Sequence, residues 1–457
     1  MFYYVIFIVL GFAGMVSSLI STPPGPLATP NKIYDADAYT KKIASSTNGV
    51  LYEVTVPDTA AFRVMHLYGS AYERGFAHGQ LLSNDLVQFV TTDLNSYYLQ
   101  ECDEIPVSKL PKWLAGAITK LCKDAAPTAF NLALGWVWDQ QKDYINASKT
   151  NVVEEMTGIA DGICTPVGPN ATTPSLCSDK KKLLQVIYHV NMLPELVQMQ
   201  CSMMGAWGDA TPNGKLTQLR TLDFGGGPFA DRTMLMVNHP TDSSIPFATL
   251  SFPGFVGVVT GFSKNLAQSE KVDDVTGGRR PKGSYDGQAV AMVIRDMVQL
   301  SETKEDAIAI AKAAKRTWSV WLGFGDDTSQ EFIAMLYDQN SATAYDDSTL
   351  PTLTNQTAFK SVAYIDKHPQ PSAHPDMPAL VKQFYGNLTG TNVAQNIPRG
   401  MQSGDVHVAV YDFSNKKVMF ATGTTDGPTG AYTRLACNAP FVRFDTDKLW
   451  NEPKPTL

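Results

Sequence analysis

The sequence predicts an α+β fold in which helices precede residue 200 and strands follow it. Residues 75–160 carry apolar side chains at helical spacing. From residue 201 onward the pattern changes to short runs of strand-forming residues, interrupted by a helical region at 286–315. Two sheets packed between helices would accommodate this order of elements.

The individual elements follow from local patterns. Helical periodicity is clear at 79–90 and again around 113–118. In the second half, the predicted strands are 201–208, 216–223, 233–238, 247–251, 255–262, 331–337 and 406–421. Between them, Asp286 opens an apolar-periodic run, and acidic residues in the first turn after Ser301 indicate a further helix.

Composition describes an ordinary globular chain with ample length for a large core. It has 457 residues, 44% of them hydrophobic and 18% charged, with a formal net charge of −7. The basic run 180–182 is too short to indicate nucleic-acid binding. No Walker loop or zinc-protease motif is present, and His368 and His374 lie in a proline-rich stretch without zinc spacing. We therefore expect no metal, no nucleotide cofactor and no nucleic-acid partner.

The segment 201–223 carries the strongest indication of chemistry. Cys201 starts a strand-like run, the pair Asn213-Gly214 favours a tight hairpin turn, and the returning strand carries Arg220 and Asp223. The hairpin would bring both charged residues back toward the thiol. Charges inside a sheet are expected to be paired or functional.

These residue types predict a nucleophile that activates itself. If the bond between Gln200 and Cys201 were cut, the new α-amine would have a pKa of about 7.7–8.0 and could take the thiol proton near neutral pH. Arg220 would favour the thiolate. Asp223 would hold the amine by a charge-assisted hydrogen bond. Nucleophile and base would then belong to one residue.

This pattern resembles the N-terminal-nucleophile hydrolases with a cysteine nucleophile, namely acid ceramidase, bile salt hydrolase, penicillin V acylase and the isopenicillin N acyltransferase group. The shared pattern is a cysteine, a hairpin and Arg-x-x-Asp, here Cys201, Arg220 and Asp223. The chain departs from it at Thr221, where the family usually has asparagine, and in a longer hairpin. Neither departure removes a core catalytic group.

Weaker matches occur in the same order along the chain, so that the resemblance spans most of residues 60–450. They are 66–79, 257–265 and 440–450. The resemblance implies a four-layer αββα sandwich, with a helical pro-chain at 19–200 and a catalytic chain at 201–457, and the apolar run at 1–18 predicts a signal peptide before them. The two chains would stay associated after cleavage.

The family also uses an asparagine on a later strand as an oxyanion donor. Asn355 matches by local sequence, but it belongs to a glycosylation sequon, and a glycan cannot occupy a catalytic pocket. Aligning 362–368 instead would leave Tyr364 at that position. We keep Asn355 as the predicted donor, and backbone amides could supply much of the oxyanion hole.

The termini and cysteines predict the secretory pathway, with a secreted or lysosomal destination. Residues 1–18 form an apolar run that ends in small residues, although no basic residue precedes it. The sequons lie at Asn146, Asn170, Asn355 and Asn387. The close pairs Cys102/Cys122 and Cys164/Cys177 are predicted disulfides. Cys437 remains, either buried or a competing partner for Cys201.

The predicted function is hydrolysis of linear non-peptide amides, with an N-acyl lipid such as ceramide as the substrate class that the resemblance favours. A lipid substrate would also bring the protein to a membrane surface. Two alternatives stay open. One is a phospholipase-B-like ester hydrolase or acyltransferase on the same scaffold, and the other is a non-catalytic secreted glycoprotein with an unreactive Cys201.

Overall fold

The computed structural model describes residues 29–168, 171–197, 200–225, 227–242, 244–273, 285–351, 357–367, 376–427 and 430–456. The predicted signal segment 1–18, Asn170, Asn355, His368 and His374 lie outside these residues.

The described residues form a mixed α+β fold. The strands are β1 Ile33–Asp35, β2 Thr40–Ser46, β3 Gly49–Val54, β4 Phe62–Gly69, β5 Gln200–Gly208, β6 Gly214–Asp223, β7 Met234–Pro240, β8 Phe247–Ser251, β9 Gly261–Ser263, β10 Leu266–Val272, β11 Val320–Asp326, β12 Phe332–Tyr337, β13 Ala342–Tyr345, β14 Val362–Ile365, β15 His407–Asp412, β16 Lys417–Thr422, β17 Thr424–Thr425, β18 Tyr432–Arg434 and β19 Phe441–Asp445.

The α-helices are α1 Ala71–Leu81, α2 Ser83–Gln88, α3 Leu94–Glu101, α4 Lys112–Asp124, α5 Ala126–Asn146, α6 Val152–Ile163, α7 Lys180–Leu196, α8 Phe229–Arg232, α9 Val290–Leu300, α10 Lys304–Ala313, α11 Asp376–Phe384, α12 Gly390–Met401 and α13 Thr446–Trp450. The region predicted helical at 286–315 thus contains α9 and α10. The predicted strand 406–421 is two strands, β15 and β16, with a turn at Lys416, whose φ is +51°.

The predicted strand 255–262 is reduced to Gly261–Ser263, and the residues before it form a buried loop. Gly254 has φ +80°, which ends the extended conformation there. The backbone N–H of Val256 donates to Asn191 Oδ1 at 2.8 Å. Because a side chain of α7 supplies the acceptor that a neighbouring strand would supply, this apolar segment is buried without sheet pairing.

The segment 19–200, predicted to be helical, is helical from α1 to α7, but β1 to β4 precede these helices. Strand β4 pairs in parallel with β7, from Arg63 opposite Met234 to Gly69 opposite Pro240. All but one residue of β4 is buried, as expected of a central strand covered on both faces. The apolar residues of β4 form a strand because they pair with β7, which comes from the second half of the chain.

The described strands form two large sheets and one small pair. A seven-stranded sheet has the order β1-β19-β16-β15-β6-β5-β14, and a ten-stranded sheet has the order β13-β12-β11-β10-β9-β8-β7-β4-β3-β2. Apolar side chains of β15, β16 and β19 pack against those of β4, β7 and β8 in one core. The two sheets therefore face each other.

Helices cover the other faces of the described sheets. The seven-stranded sheet packs against α11 and α12 through the core that contains Met204, Leu219 and Ile397. Strands β10 to β12 of the ten-stranded sheet pack against α9 and α10. Helices α1 to α7 contribute to the largest core, which also contains Cys201.

Candidate active site

The hairpin formed by β5 and β6 brings together the three residues that the sequence singled out. The strands are antiparallel, with Cys201 opposite Leu222 and Gln200 opposite Asp223. Arg220 lies two residues before Leu222, on the same face of the sheet as Cys201. Cys201 and Arg220 are both fully buried. The predicted cut at Gln200-Cys201 therefore falls within a paired strand, opposite the predicted amine-binding carboxylate.

The hairpin forms, but the predicted tight Asn-Gly turn is wrong: residues 209–213 make a five-residue loop between Gly208 and Gly214, which face each other in the register. The Asn213 side-chain oxygen accepts a hydrogen bond from the backbone N–H of Lys215 at 3.1 Å. Gly214 has φ +72°, a conformation that a residue with a Cβ rarely adopts. The loop thereby connects the two paired strands β5 and β6.

A carboxylate that the sequence did not reveal, Glu270 of β10, completes the cluster. Cys201 Sγ lies 3.9 Å from Glu270 Oε2, in hydrogen-bonding geometry. Arg220 Nη2 lies 3.6 Å from the same oxygen. The thiol, the guanidinium and the carboxylate thus meet between the two sheets. The signal available in the sequence was a charged pair, Glu270-Lys271, next to small and apolar residues.

Burial dominates the electrostatics of this cluster. It raises the pKa of the Cys201 thiol well above its usual range, while the charge of Arg220 acts in the opposite direction. The effect of burial on the Cys201 pKa outweighs that of Arg220, and the predicted role of Arg220 in favouring the thiolate stays a prediction. Burial also raises the pKa of Glu270 to about 7, against the lowering effect of Arg220. Glu270 can consequently change its protonation state near neutral pH.

Backbone carbonyls hold Arg220 in place. Its Nε and Nη2 each donate to the carbonyl oxygen of Val259 at 3.4 Å, and its Nη1 donates to the carbonyl oxygen of Thr221. Val259 lies in the buried loop before β9. That loop therefore positions the guanidinium.

Asp223 is held from the side of α12. Its Oδ2 accepts a hydrogen bond from Ser403 Oγ at 2.7 Å, and its Oδ1 accepts one from the backbone N–H of Gly404 at 2.8 Å. A second carboxylate, Asp405, is close by. Burial, together with the charge of Asp223, raises the pKa of Asp405 well above its usual range.

A small apolar cavity of about 30 Å³ adjoins the cluster. Val259 lines it and also accepts from Arg220, and Phe224 lines it directly after Asp223. Its remaining lining residues are Phe89, Val190, Leu193, Pro194, Val197, Phe229, Phe252 and Phe255. Both halves of the chain contribute, including the last turn of α7 just before the predicted cut. The lining is apolar throughout, and the space itself is much smaller than a ligand pocket.

The predicted oxyanion donor Asn355 lies outside the described residues. The alternative residue, Tyr364, pairs with Met204 in the register of β14 and β5. Both side chains belong to the core that packs against α11 and α12, on the opposite face of the sheet from Arg220. Tyr364 therefore does not reach Cys201.

The cysteines are arranged as the sequence predicts. Cys102 is bonded to Cys122, and Cys164 is bonded to Cys177. Cys201 and Cys437 are unpaired and buried within the described chain. Cys437 belongs to the core beside α12, whereas Cys201 faces the ten-stranded sheet, so the two thiols do not compete.

The described sequons are exposed. Asn146 is the last residue of α5, and Asn387 lies between α11 and α12. Both asparagines are on the surface, as a glycan would require. In the described part of the chain, no helix is long and apolar enough to cross a membrane.

Comparison with known proteins gives a family. The chain is 30% identical over 435 residues to protein dcd1A of Dictyostelium discoideum, and the match covers 90% of each chain. The chain belongs to the dcd1A family. Protein dcd1B of the same organism is 29% identical over 429 residues, which covers 90% of this chain and 79% of dcd1B.

More distant matches add little to this dcd1A-family assignment. An uncharacterised protein of Archaeoglobus fulgidus is 26% identical over 272 residues, covering 57% of this chain and 41% of that protein. Among solved structures, penicillin V acylase from Agrobacterium tumefaciens matches with a TM-score of 0.33 and 13% identity, covering 55% of this chain and 89% of the acylase. A likeness at that TM-score assigns no function to this chain. No protein-family model matches the chain.

Proposed function

We propose that this protein is a self-cleaving N-terminal-nucleophile amidohydrolase that acts on N-acyl lipids. The observation that carries the proposal is the meeting of Cys201 Sγ and Arg220 Nη2 at one oxygen of Glu270, at 3.9 and 3.6 Å. A buried thiol beside a carboxylate and a guanidinium has the partners that a nucleophile needs.

In the intact chain, the first reaction would be cleavage of its own backbone. Glu270 takes the thiol proton, and the sulfur attacks the carbonyl carbon of Gln200. The bond to the nitrogen of Cys201 breaks, and that nitrogen leaves as an amine after gaining a proton. Water then hydrolyses the thioester, which releases the Gln200 carboxyl group and restores the thiol.

In the cut protein, the new α-amine of Cys201 is the base. It takes the thiol proton, and the thiolate attacks the amide carbonyl of the substrate. The amine of the substrate leaves with that proton, and water hydrolyses the acyl-enzyme. Arg220 stabilises the thiolate, and Asp223 binds the α-amine. Asn355 remains the predicted oxyanion donor.

The apolar cavity supports an acyl chain as the group that is transferred. Its lining carries the rings of five phenylalanines and no charged residue. Leu193, Pro194 and Val197 close it from the side of the segment that precedes the cut. Release of the chain end at Gln200 would let this side open, so the cavity would lengthen in the cut protein.

The proposal includes a four-layer αββα arrangement for the fold. Support comes from the two facing sheets and from the helix pairs α11/α12 and α9/α10 on their outer faces. It also includes passage through the secretory pathway, which the two disulfides and the exposed Asn146 and Asn387 support.

The test is N-terminal sequencing and intact-mass analysis of the deglycosylated protein, incubated at pH 5 and at pH 7.5. A fragment that begins at Cys201 is expected, and it should be absent from Cys201→Ala. The cut protein should then hydrolyse a fatty N-acyl amide in preference to the matching ester. An intact chain at both pH values would overturn the proposal.

Cys437→Ala is the matched control, because this second buried thiol faces the other side of the sheet. It should be cut as the wild type is. If loss of Cys437 also stopped the cleavage, the assignment of the nucleophile to Cys201 would be wrong.

A further inference from the structure

Three hydroxyl groups lie behind the cluster, on the face of the seven-stranded sheet opposite to Arg220. Ser202 and Thr221 are opposite each other in β5 and β6, and Ser403 follows α12. All three residues are fully buried. Ser403 Oγ lies 2.8 Å from Ser202 Oγ, 2.6 Å from Thr221 Oγ1 and 2.7 Å from Asp223 Oδ2.

The directions of these hydrogen bonds follow from counting protons. An ionised carboxylate such as that of Asp223 can only accept hydrogen bonds, so the Ser403 hydroxyl donates its one proton to Asp223. The Ser403 oxygen must then accept from Ser202 and from Thr221. Thr221 has one proton to donate, and Ser403 Oγ at 2.6 Å is a closer acceptor than the carbonyl oxygen of Ser202 at 3.5 Å, while the Thr221 oxygen accepts from the backbone N–H of Ser202 at 2.9 Å. Every proton in the array therefore points toward Asp223.

We propose that Ser403, supported by Ser202 and Thr221, is a positioning residue that holds Asp223 for the α-amine of residue 201. The inference rests on the proposed function, in which Asp223 binds that amine. Asp223 is opposite Gln200 in the strand register, across from the peptide bond whose cleavage would free the amine. A carboxylate that could rotate would hold the amine in several orientations, and only some would direct it toward the sulfur.

The second bond to Asp223 shows that the array is built for a fixed carboxylate. Gly404 donates its backbone N–H to the other oxygen, so both carboxylate oxygens are held from the 403–404 segment. Gly404 has φ +104°, and a Cβ there would lie 2.4 Å from a methyl group of Val408. Only glycine therefore presents its N–H to Asp223 in this way.

The experiment compares Ser403→Ala, Thr221→Val and Thr221→Ser in the full chain. Ser403→Ala removes a hydrogen bond to a charged group, and we expect kcat to fall about tenfold with KM within about twofold of wild type. Thr221→Val should lower kcat less, and Thr221→Ser should restore it. The acidic limb of the kcat/KM profile should move to lower pH in Ser403→Ala, because a displaced Asp223 raises the amine pKa less.

Matched controls separate positioning from loss of a buried hydroxyl. The hydroxyls of Ser301 and Thr249 are buried and have no hydrogen-bond partner among the described residues. Ser301→Ala and Thr249→Val should keep the wild-type kcat and pH profile.

A folded Ser403→Ala enzyme with wild-type kcat and an unmoved acidic limb would overturn the inference while the proposed function stands. Equal losses in the control variants would overturn it too. Failure of the wild type to cut itself would overturn the proposed function first.

Discussion

Glu195 accepts a hydrogen bond from the backbone N–H of Val290 at 2.9 Å, so a side chain at the end of α7 binds the first residue of α9. The same carboxylate accepts from Gln141 Nε2 at 2.7 Å and from Thr317 Oγ1 at 3.1 Å. Helix α7 leads directly to the proposed cut. A buried carboxylate therefore connects the segment before the cut to the helices after it.

Substitution of Glu195 by glutamine should weaken the dependence of stability on pH. Burial raises the pKa of Glu195 from 4.5 to about 7. Between these values the folded state binds more protons than the unfolded state, so the free energy of unfolding falls as pH rises. Over the full range Glu195 contributes roughly 3 kcal/mol of this fall. Urea unfolding at pH 5 and pH 8 should show a smaller difference in Glu195→Gln than in wild type.

The glutamine is expected to fit because Gln141 Oε1 has no hydrogen-bond partner among the described residues and could accept from the new amide after a flip. The exposed Glu302→Gln serves as the control and should leave the pH dependence unchanged. An unaltered difference between the two pH values in Glu195→Gln would contradict the prediction.

Substitution of Glu270 should slow self-cleavage, because Glu270 is the proposed base for that step. Glu270→Gln cannot take the thiol proton of Cys201, so we expect cleavage to slow by about 100-fold, within the range of general-base catalysis. In wild type the rate should rise with pH through about 7, where Glu270 ionises. Time courses of fragment appearance from pH 5 to pH 8.5 measure both effects, and the rise should be absent in the variant.

Glu270→Asp keeps the carboxylate and should retain part of the rate. If Glu270→Gln were cleaved at the wild-type rate, and if that rate also rose with pH through 7, another group would be the base that takes the thiol proton.

Loss of Glu155 should destabilise the protein strongly. Its Oε2 lies 3.2 Å from Arg74 Nη2 and 2.7 Å from Arg295 Nη2, and all three side chains are buried. Glu155→Gln leaves two guanidinium groups without their counter-charge, which should cost about 3–5 kcal/mol of unfolding free energy. Chemical denaturation of the Cys201→Ala background, which stays uncut under the proposal, would measure this.

An exposed ion pair is the matched control for that substitution. Lys360 lies 2.7 Å from Asp209, and both side chains are well exposed. Asp209→Asn should change the free energy of unfolding far less than Glu155→Gln does. Comparable losses of unfolding free energy in the two variants would show that the buried ion pairs of Glu155 stabilise the protein no more than the exposed pair does.

Filling the apolar cavity should change the preferred length of the acyl chain. Val190 of α7 lines the cavity. Val190→Phe would fill space in the cavity that a long acyl chain would need under the proposal. We expect kcat/KM for a long-chain N-acyl amide to fall about tenfold, with little change for a two-carbon acyl group. A uniform loss over the whole chain-length series would show that the cavity does not bind the acyl chain.

The pairing of β5 with β6 could be predicted because its information is local. Asn213 and Gly214 lie where the chain reverses, and the two strands on either side pair so that Cys201 is opposite Leu222 and Gln200 is opposite Asp223. Those three residues lie within one short segment, so no knowledge of the remaining fold was needed to place them together.

Glu270 and Ser403 could not be predicted in the same way. Glu270 lies 69 residues after Cys201 and reaches it only because two sheets pack face to face. Ser403 lies 180 residues after Asp223 and meets it through the packing of α12. Their local signals are weak: Glu270 is marked only by the adjacent charge of Lys271, and a serine such as Ser403 in a loop is common.

The loop before β9 shows a different limit. Its apolar residues read as a strand, because a short apolar run has the same composition in a buried strand and in a buried loop. The deciding interaction is the hydrogen bond from Val256 to Asn191, which is distant in sequence. The strands before α1 were missed for a related reason, since β4 finds its parallel partner only in β7.

That parallel pairing has a consequence for any cut at residue 200. Strands β2 to β4 and β7 to β13 are parts of one continuous sheet, joined through seven residue pairs between Arg63–Met234 and Gly69–Pro240. The two polypeptides made by the cut would each contribute strands to that sheet and would stay hydrogen-bonded to each other through it. Denaturing electrophoresis would separate them, whereas sizing of the native protein would register a single unchanged particle.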